Sequence, residues 1–355
     1  MKNNFDLNQT PLVVIWEVTR ACDLACFHCR ASAQSHRNPL ELSTQEGKKL
    51  IDGIVELDPP IFIFTGGDPL KRPDIYEFVA YAAEKGLHPA MTPSATPLLN
   101  RDSLLNLKQA GLRRLALSLD GPTPALHDFF RGVTGSFART LEAIYWANSI
   151  GLPIQINTTV SRRNMAELEK ILSVIRNFRI VMWSLFFMVP TGRAGAEDMP
   201  SAEEVESAFA RIYRMAQEAP FKVKTTEAQH YRRYMLQQRR RKKDPPSEGV
   251  PGILPVNEGK GFIFISHTGE LQPSGFLPVS AGNVRSASIT EIYRSSDLFR
   301  QLRDSANLEG KCGDCEFREV CGGSRARAYA YSGDMFAADP CCAYIPRTPI
   351  SKETT

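Results

Sequence analysis

Leu12-Val13-Val14-Ile15-Trp16-Glu17-Val18 leads, after Thr19-Arg20-Ala21, into Cys22-Asp23-Leu24-Ala25-Cys26-Phe27-His28-Cys29. The first run is short, apolar and β-branched, the pattern of a buried strand. The second holds three cysteines at a C-x3-C-x2-C spacing. A closed zinc or iron–sulfur site takes four ligands, so three thiolates leave one metal position open. An open coordination position beside a strand end is a place for chemistry. A zinc site whose fourth ligand lies elsewhere, or three buried thiols acting as small hydrophobes, would give the same spacing.

The strand-then-loop unit recurs down the chain. Ser43 and Glu46 form a capping box that opens a helix to about residue 57, and residues 61–65 are the next strand. Helices are expected from Pro73 to before Gly86, over 101–110, over 135–149, over 164–177 with Asn164 as cap, and from Ser201 with Glu204 in its first turn. Strands are expected over 87–92, 114–119, 153–160 and 180–189. Six consecutive βα units with nearly continuous apolar strands mean a parallel sheet covered by helices. They suit a doubly wound sheet or an incomplete βα barrel, and the pattern alone does not choose.

Both folds put their sites at the carboxyl ends of the strands. The polar residues collect there: Thr65-Gly66-Gly67-Asp68-Pro69, Pro93-Ser94-Ala95-Thr96, Ser118 with Asp120-Gly121, Asn157-Thr158-Thr159, and Pro190-Thr191-Gly192-Arg193. Glycines let a backbone approach a ligand closely, although Gly-Gly-Asp-Pro is also a good turn.

At 355 residues the chain can bury a full core, and 43% hydrophobic with 23% charged residues is ordinary for a soluble globular protein. A net charge of +4 argues for neither nucleic acid nor membrane. The longest apolar run, 180–190, is too short to span a bilayer and is broken by Ser184, and the polar N-terminus lacks a signal-peptide core. A cytoplasmic protein is expected, and its eight cysteines read as metal ligands rather than disulfides. Three lie near the N-terminus and five between 312 and 342, which suggests two metal sites.

The spacing of Cys22, Cys26 and Cys29, with His28 at the aromatic position, resembles the radical SAM superfamily. The resemblance implies a partial (β/α)6 TIM-type barrel in which those cysteines hold a 4Fe–4S cluster whose fourth iron is chelated by S-adenosyl-L-methionine. Reductive cleavage of that cofactor would give a 5′-deoxyadenosyl radical that abstracts hydrogen. It also implies that Gly66-Gly67-Asp68 stands for the family's G-G-E element, which binds the methionine amine. By strand order, Ser94 and Ser118 become candidates for the carboxylate and Asn157 for a ribose hydroxyl. His28 would contact the adenine by stacking or backbone. His127-Asp128-Phe129-Phe130-Arg131-Gly132 resembles an H-D-x-x-R-G segment of haem-pathway and peptide-modifying members. There Arg131 would reach a carboxylate, and His127 and Asp128 would order the loop.

Beyond residue 220 the pattern breaks. Arg232-Arg233 and Arg239-Arg240-Arg241-Lys242-Lys243 precede Pro245-Pro246. The run reads as a solvated helix face or as a mouth for an anionic substrate. Residues 261–273 read as a hairpin and 288–303 as one helix. Cys312-x2-Cys315-x5-Cys321 and Cys341-Cys342 resemble a SPASM/twitch extension. That implies an auxiliary 4Fe–4S cluster on Cys312, Cys315, Cys321 and Cys342, with Cys341 as the alternative. A zinc ribbon would use the same four residues. Expected parts are a barrel over 1–220, a basic helix and linker over 221–260, and a cysteine-rich iron–sulfur domain over 261–355.

Trp16-Glu17-Val18-Thr19-Arg20 and Cys321-Gly322-Gly323-Ser324-Arg325-Ala326-Arg327-Ala328 draw the resemblance toward the haem-pathway branch, which often has cysteine where this chain has Ser324. The implied activity is an oxidoreductase- or lyase-type modification of a tetrapyrrole side chain, the alternatives being maturation of a peptide and a non-enzymatic iron–sulfur scaffold. The implied partners are a reductant such as flavodoxin or ferredoxin and a tetrapyrrole or peptide substrate, with no nucleic acid and no membrane.

Overall fold

The computed structural model describes residues 6–241 and 254–347. Seven strands, β1 (Val13–Glu17), β2 (Ile61–Thr65), β3 (Pro89–Met91), β4 (Arg114–Ser118), β5 (Ile154–Val160), β6 (Met182–Phe187) and β7 (Lys222–Thr226), each pair in parallel with the next. A doubly wound sheet reverses its order at a switch point. Here the order runs β1 to β7 without reversal, so the fold is the partial barrel. Outside it lie α1 (Thr44–Leu57), α2 (Ile75–Glu84), α3 (Arg101–Gln109), α4 (Pro124–Arg131), α5 (Ser136–Ser149), α6 (Leu168–Ile175), α7 (Ala202–Glu218) and α8 (His230–Arg241).

The helix starts follow the sequence closely. Ser43 Oγ accepts from Glu46 N–H at 3.2 Å while Glu46 accepts from Ser43 N–H at 2.8 Å, and Ser201 and Glu204 repeat the exchange. Asn164 does not cap α6. It accepts from Ser161 N–H and donates to the carbonyls of Asp120 and Thr159, tying the ends of β4 and β5 together, so that α6 begins at Leu168. Trp16 packs edge-on to Phe78 of α2 at 4.9 Å between centroids, and both are fully buried. Truncating such a side chain to alanine costs about 3–5 kcal/mol.

The far edge of β1 is not free. β8 (Asn257–Glu258) pairs with β9 (Gly261–Ile265), which lies parallel to β1 from Val13↔Phe262 to Trp16↔Ile265. β10 (Glu270–Gln272) turns back against β9, and β11 (Gly282–Asn283) pairs with β10. The expected hairpin is present, and it extends the barrel's own sheet. The expected helix over 288–303 is two, α9 (Ile289–Ser295) and α10 (Asp297–Arg303), because Ser296 is extended and its hydroxyl caps Phe299 N–H. The cysteine-rich end carries α11 (Gly310–Gly313) and α12 (Arg325–Ser332). Among the described residues no helix is long and apolar enough to cross a membrane.

Candidate active site and a second cysteine cluster

A cavity of about 220 Å3 opens at the carboxyl ends of the strands. Cys22, Cys26, His28 and Cys29 line it from the loop after β1. Gly66 and Gly67 follow β2, Ser94 follows β3, Ser118 ends β4, Asn157 lies on β5, and Phe186 to Val189 close the far side at β6. Residues from Cys22 to Val189 meet there because they sit where strands give way to their loops.

The cysteine loop is clamped by the loops after β2 and β6. Gly67 N–H donates to Thr19 O at 2.8 Å and Asp68 N–H to Ala21 O at 2.7 Å. A Cβ on Gly66 or Gly67 would lie 2.5 Å from those same carbonyls, so these glycines serve the packing of one backbone on another. Gly192, at φ +69, brings a third loop against Cys29 O and Arg30 O, where a Cβ would sit at 2.4 Å. The sulfurs accept N–H donors: Leu24 N–H to Cys22 and Ala33 N–H to Cys29, both at 3.4 Å. Burial pushes the Cys22 and Cys26 thiols up, opposed by Ser94 at Cys22 and by Arg131 at Cys26.

Ser94 stands 3.3 Å from Cys22 Sγ and donates to Gly67 O. Asn157 lines the cavity with its Oδ1 held by Gln155 Nε2 at 2.7 Å. Asp68 does not line the cavity. Its fully buried carboxylate accepts from Leu70 N–H, from Ser94 N–H and from Thr96 Oγ1. Burial pushes it up to about 6. The carboxylate braces the loops after β2 and β3 from beneath.

His28 is half-buried against Phe27 and Phe130, its Nδ1 without a hydrogen-bond partner among the described residues. Burial lowers it to about 4, so it is neutral near pH 7. Arg131 lines the cavity, is ion-paired to Asp120 and sits 3.8 Å from Cys26 Sγ. Asp128 accepts from Gly135 N–H, Ser136 Oγ and Phe137 N–H, so it orders the start of α5. Arg30 went unnoticed in the sequence. It pairs with Glu17 at 2.9 Å, donates to Gly275 O, and lies over the Phe264 ring. Its position one residue after Cys29 was the available signal.

Cys312, Cys315, Cys321 and Cys342 line a second cavity. Their sulfurs also accept N–H donors: Asp339 to Cys312, Phe317 to Cys315 and Gly323 to Cys321, each at 3.4 Å. Cys341 faces elsewhere and donates to Pro200 O. The end of α8 borders this cavity, not the first: Arg233 lies over Tyr344 and Arg240 over Phe317. The described part of the basic run therefore does not form a mouth for the first cavity, and Lys242, Lys243 and Pro245-Pro246 lie outside the described residues. Beside the second cavity, Ser324 Oγ stands 2.6 Å from Glu227 Oε2 and 3.1 Å from Glu258 Oε1. Burial and the neighbouring Glu258 push Glu227 well up.

The cysteines fit iron–sulfur clusters. All eight are free thiols, and the two groups line separate cavities with three and four sulfurs. Among the described residues no three Cys, His or carboxylate groups close on a single metal ion. A 4Fe–4S cluster binds each cysteine through its own iron, so its thiolates need not converge.

A family model described as the Radical SAM superfamily matches residues 16–175, and one described as SPASM, an iron-sulfur cluster-binding domain, matches residues 257–316. A relative named AdoMet-dependent heme synthase, from Nitratidesulfovibrio vulgaris, is 43% identical and covers 96% of this chain and 95% of its own. A protein of the same name from Methanosarcina barkeri is 39% identical and covers 96% of this chain and 98% of its own. The crystal structure of Streptococcus suis SuiB bound to S-adenosylmethionine matches with a TM-score of 0.75 at 15% identity, over 95% of this chain and 78% of that one, a likeness of fold. The chain belongs to the radical SAM superfamily and carries a SPASM domain. It is an enzyme that uses S-adenosylmethionine, a 4Fe–4S cluster and an auxiliary iron–sulfur cluster.

Proposed function

We propose that this chain is a cytoplasmic radical enzyme of haem formation that modifies the side chains of a tetrapyrrole. The observation that carries the reading is its 43% identity, over nearly the whole of both chains, to a relative named AdoMet-dependent heme synthase. The cavity supports it. Phe186 to Val189 and Phe276 give an apolar wall for a flat macrocycle, and arginines border it for acidic side chains.

In this reading Cys22, Cys26 and Cys29 hold the first cluster, and Cys312, Cys315, Cys321 and Cys342 the second. When bound, the first cluster and S-adenosylmethionine supply the radical that abstracts hydrogen. The chain's own part is positioning. The backbone of Gly66 and Gly67 meets the methionine amine, Ser94 and Ser118 its carboxylate, Asn157 the ribose, and His28 presents a neutral ring to the adenine. Asp68 acts through Ser94 and Thr96, holding their loop in register. The apolar wall excludes water from the reacting carbon. A flavodoxin- or ferredoxin-type reductant supplies the electron.

The test is anaerobic incubation of the reconstituted protein with dithionite, S-adenosylmethionine and a tetrapyrrole bearing carboxylate side chains. The expected result is a new tetrapyrrole by chromatography and mass, with faster release of 5′-deoxyadenosine. An unchanged tetrapyrrole alongside continued 5′-deoxyadenosine release would overturn the substrate and leave the radical chemistry standing.

A further inference from the structure

Three guanidinium groups line the first cavity: Arg30, Arg131 and Arg193. Two of them are committed. Arg30 is paired with Glu17, bonded to Gly275 O and laid over Phe264. Arg131 is ion-paired to the buried carboxylate of Asp120. Arg193 is different. Its side chain is exposed, and among the described residues it has no carboxylate partner and makes no hydrogen bond.

The backbone beneath that free cation is fixed. Arg193 N–H donates to Cys29 O at 3.0 Å. Gly192 at φ +69 presses on Cys29 O and Arg30 O with no room for a Cβ. Thr191 Oγ1 donates to Phe276 O at 3.2 Å. The loop after β6 is thus pinned between the cysteine loop and the turn that carries Phe276. It presents an uncompensated guanidinium beside the apolar wall. A planar guanidinium with all its donors free takes a carboxylate in a bidentate fork, and more strongly where an apolar wall shields it from water. The candidate contacts for S-adenosylmethionine come from His28 on the cysteine loop, from the loops after β2 and β3 and from β4 and β5. Arg193 comes from a further element, the loop after β6, and lines the cavity together with Phe187, Met188 and Val189.

We propose that Arg193 anchors a carboxylate side chain of the substrate at the cavity mouth, and so decides which neighbouring side chain of the macrocycle faces the reacting centre. The inference rests on the tetrapyrrole reading above. Because the Arg193 side chain makes no hydrogen bond or ion pair among the described residues, its replacement removes no such interaction from the fold.

The test compares the anaerobic holoenzyme with Arg193→Gln and Arg193→Lys. Each is titrated optically with a tetracarboxylic porphyrin and with its methyl ester, and with S-adenosylmethionine by equilibrium dialysis. Loss of a charge-assisted fork weakens the acid porphyrin roughly 10- to 100-fold in Arg193→Gln. The ester shows no such difference, Arg193→Lys recovers part of the loss, and the affinity for S-adenosylmethionine is unmoved. In turnover the defect falls on KM more than on kcat. Equal affinity of the unmodified protein and Arg193→Gln for the acid porphyrin would overturn the inference alone. Weaker S-adenosylmethionine binding with unchanged porphyrin binding would also overturn it, handing the guanidinium to the cofactor's carboxylate. No binding of the acid porphyrin by the unmodified protein would overturn the tetrapyrrole reading, and the inference with it.

Discussion

Replacing Glu17 by glutamine would loosen the cysteine loop from the sheet. Glu17 ends β1 and is fully buried. Its carboxylate takes Arg30 at 2.9 Å, Arg20 at 3.1 Å and His267 at 3.2 Å. It thereby joins the loop of Cys22 to Cys29 to the turn after β9. Burial pushes this acid up, but Arg30, His267 and Arg20 together outweigh it and hold it down from 4.5 to about 2. At about 1.36 kcal/mol per pH unit, that gap is worth roughly 3 kcal/mol. A folded-state value below the unfolded one stabilises above the unfolded value and stops doing so as pH falls through the folded one. Glu17→Gln should therefore cost about 3 kcal/mol at pH 7, a gap that shrinks below about pH 4.5 and closes near pH 2. Urea unfolding of the anaerobic apoprotein at several pH values reads it directly. A loss under about 1 kcal/mol at pH 7, or a gap that stays constant on acidification, would refute the reasoning.

Gly192→Ala should cost about 1–2 kcal/mol for its left-handed backbone, and more from the contact with Cys29 O. Reconstituted protein should then keep about four irons rather than eight, because only the first cluster is disturbed. For Glu227→Gln the sign reverses. Glu227 binds its proton more tightly in the folded protein than in the unfolded chain, so the variant should gain on the parent as pH rises above about 4.5, by up to about 1.4 kcal/mol per unit. A pH-independent difference in urea midpoints would contradict that. Charge reversal at Arg239, Arg240 and Arg241 should leave optical titrations with an acid porphyrin unchanged, since α8 ends beside the second cavity.

The parts of the fold written locally were legible. Capping boxes at Ser43 and Ser201, apolar strand runs and the cysteine spacing each lie within a few residues, and all appear as read. Gly66, Gly67, Ser94, Ser118 and Asn157 fall together because a βα barrel gathers every strand end on one rim. What failed was long-range or depended on side-chain direction. Nothing local announces that residues 261–265 lie parallel to β1, since that pairing spans most of the chain. β7 was missed because Lys222 and Lys224 break the apolar run of an edge strand. Asp68 sits where a ligand contact was expected, but its carboxylate turns inward to Thr96, a choice of direction that a motif does not encode. Arg193 was visible only as the end of a strand. Its role appears once Arg30 and Arg131 are seen to have partners.

The central claim is that Cys22, Cys26 and Cys29 do the radical chemistry and that the second cysteine group does not replace them. It is tested by measuring iron, sulfide and 5′-deoxyadenosine from anaerobically reconstituted protein given S-adenosylmethionine and dithionite, beside the Cys22→Ala/Cys26→Ala/Cys29→Ala variant. The account predicts about eight irons and steady 5′-deoxyadenosine release from the parent, and about four irons with no release from the variant. Cleavage of S-adenosylmethionine that persists in the variant would contradict it.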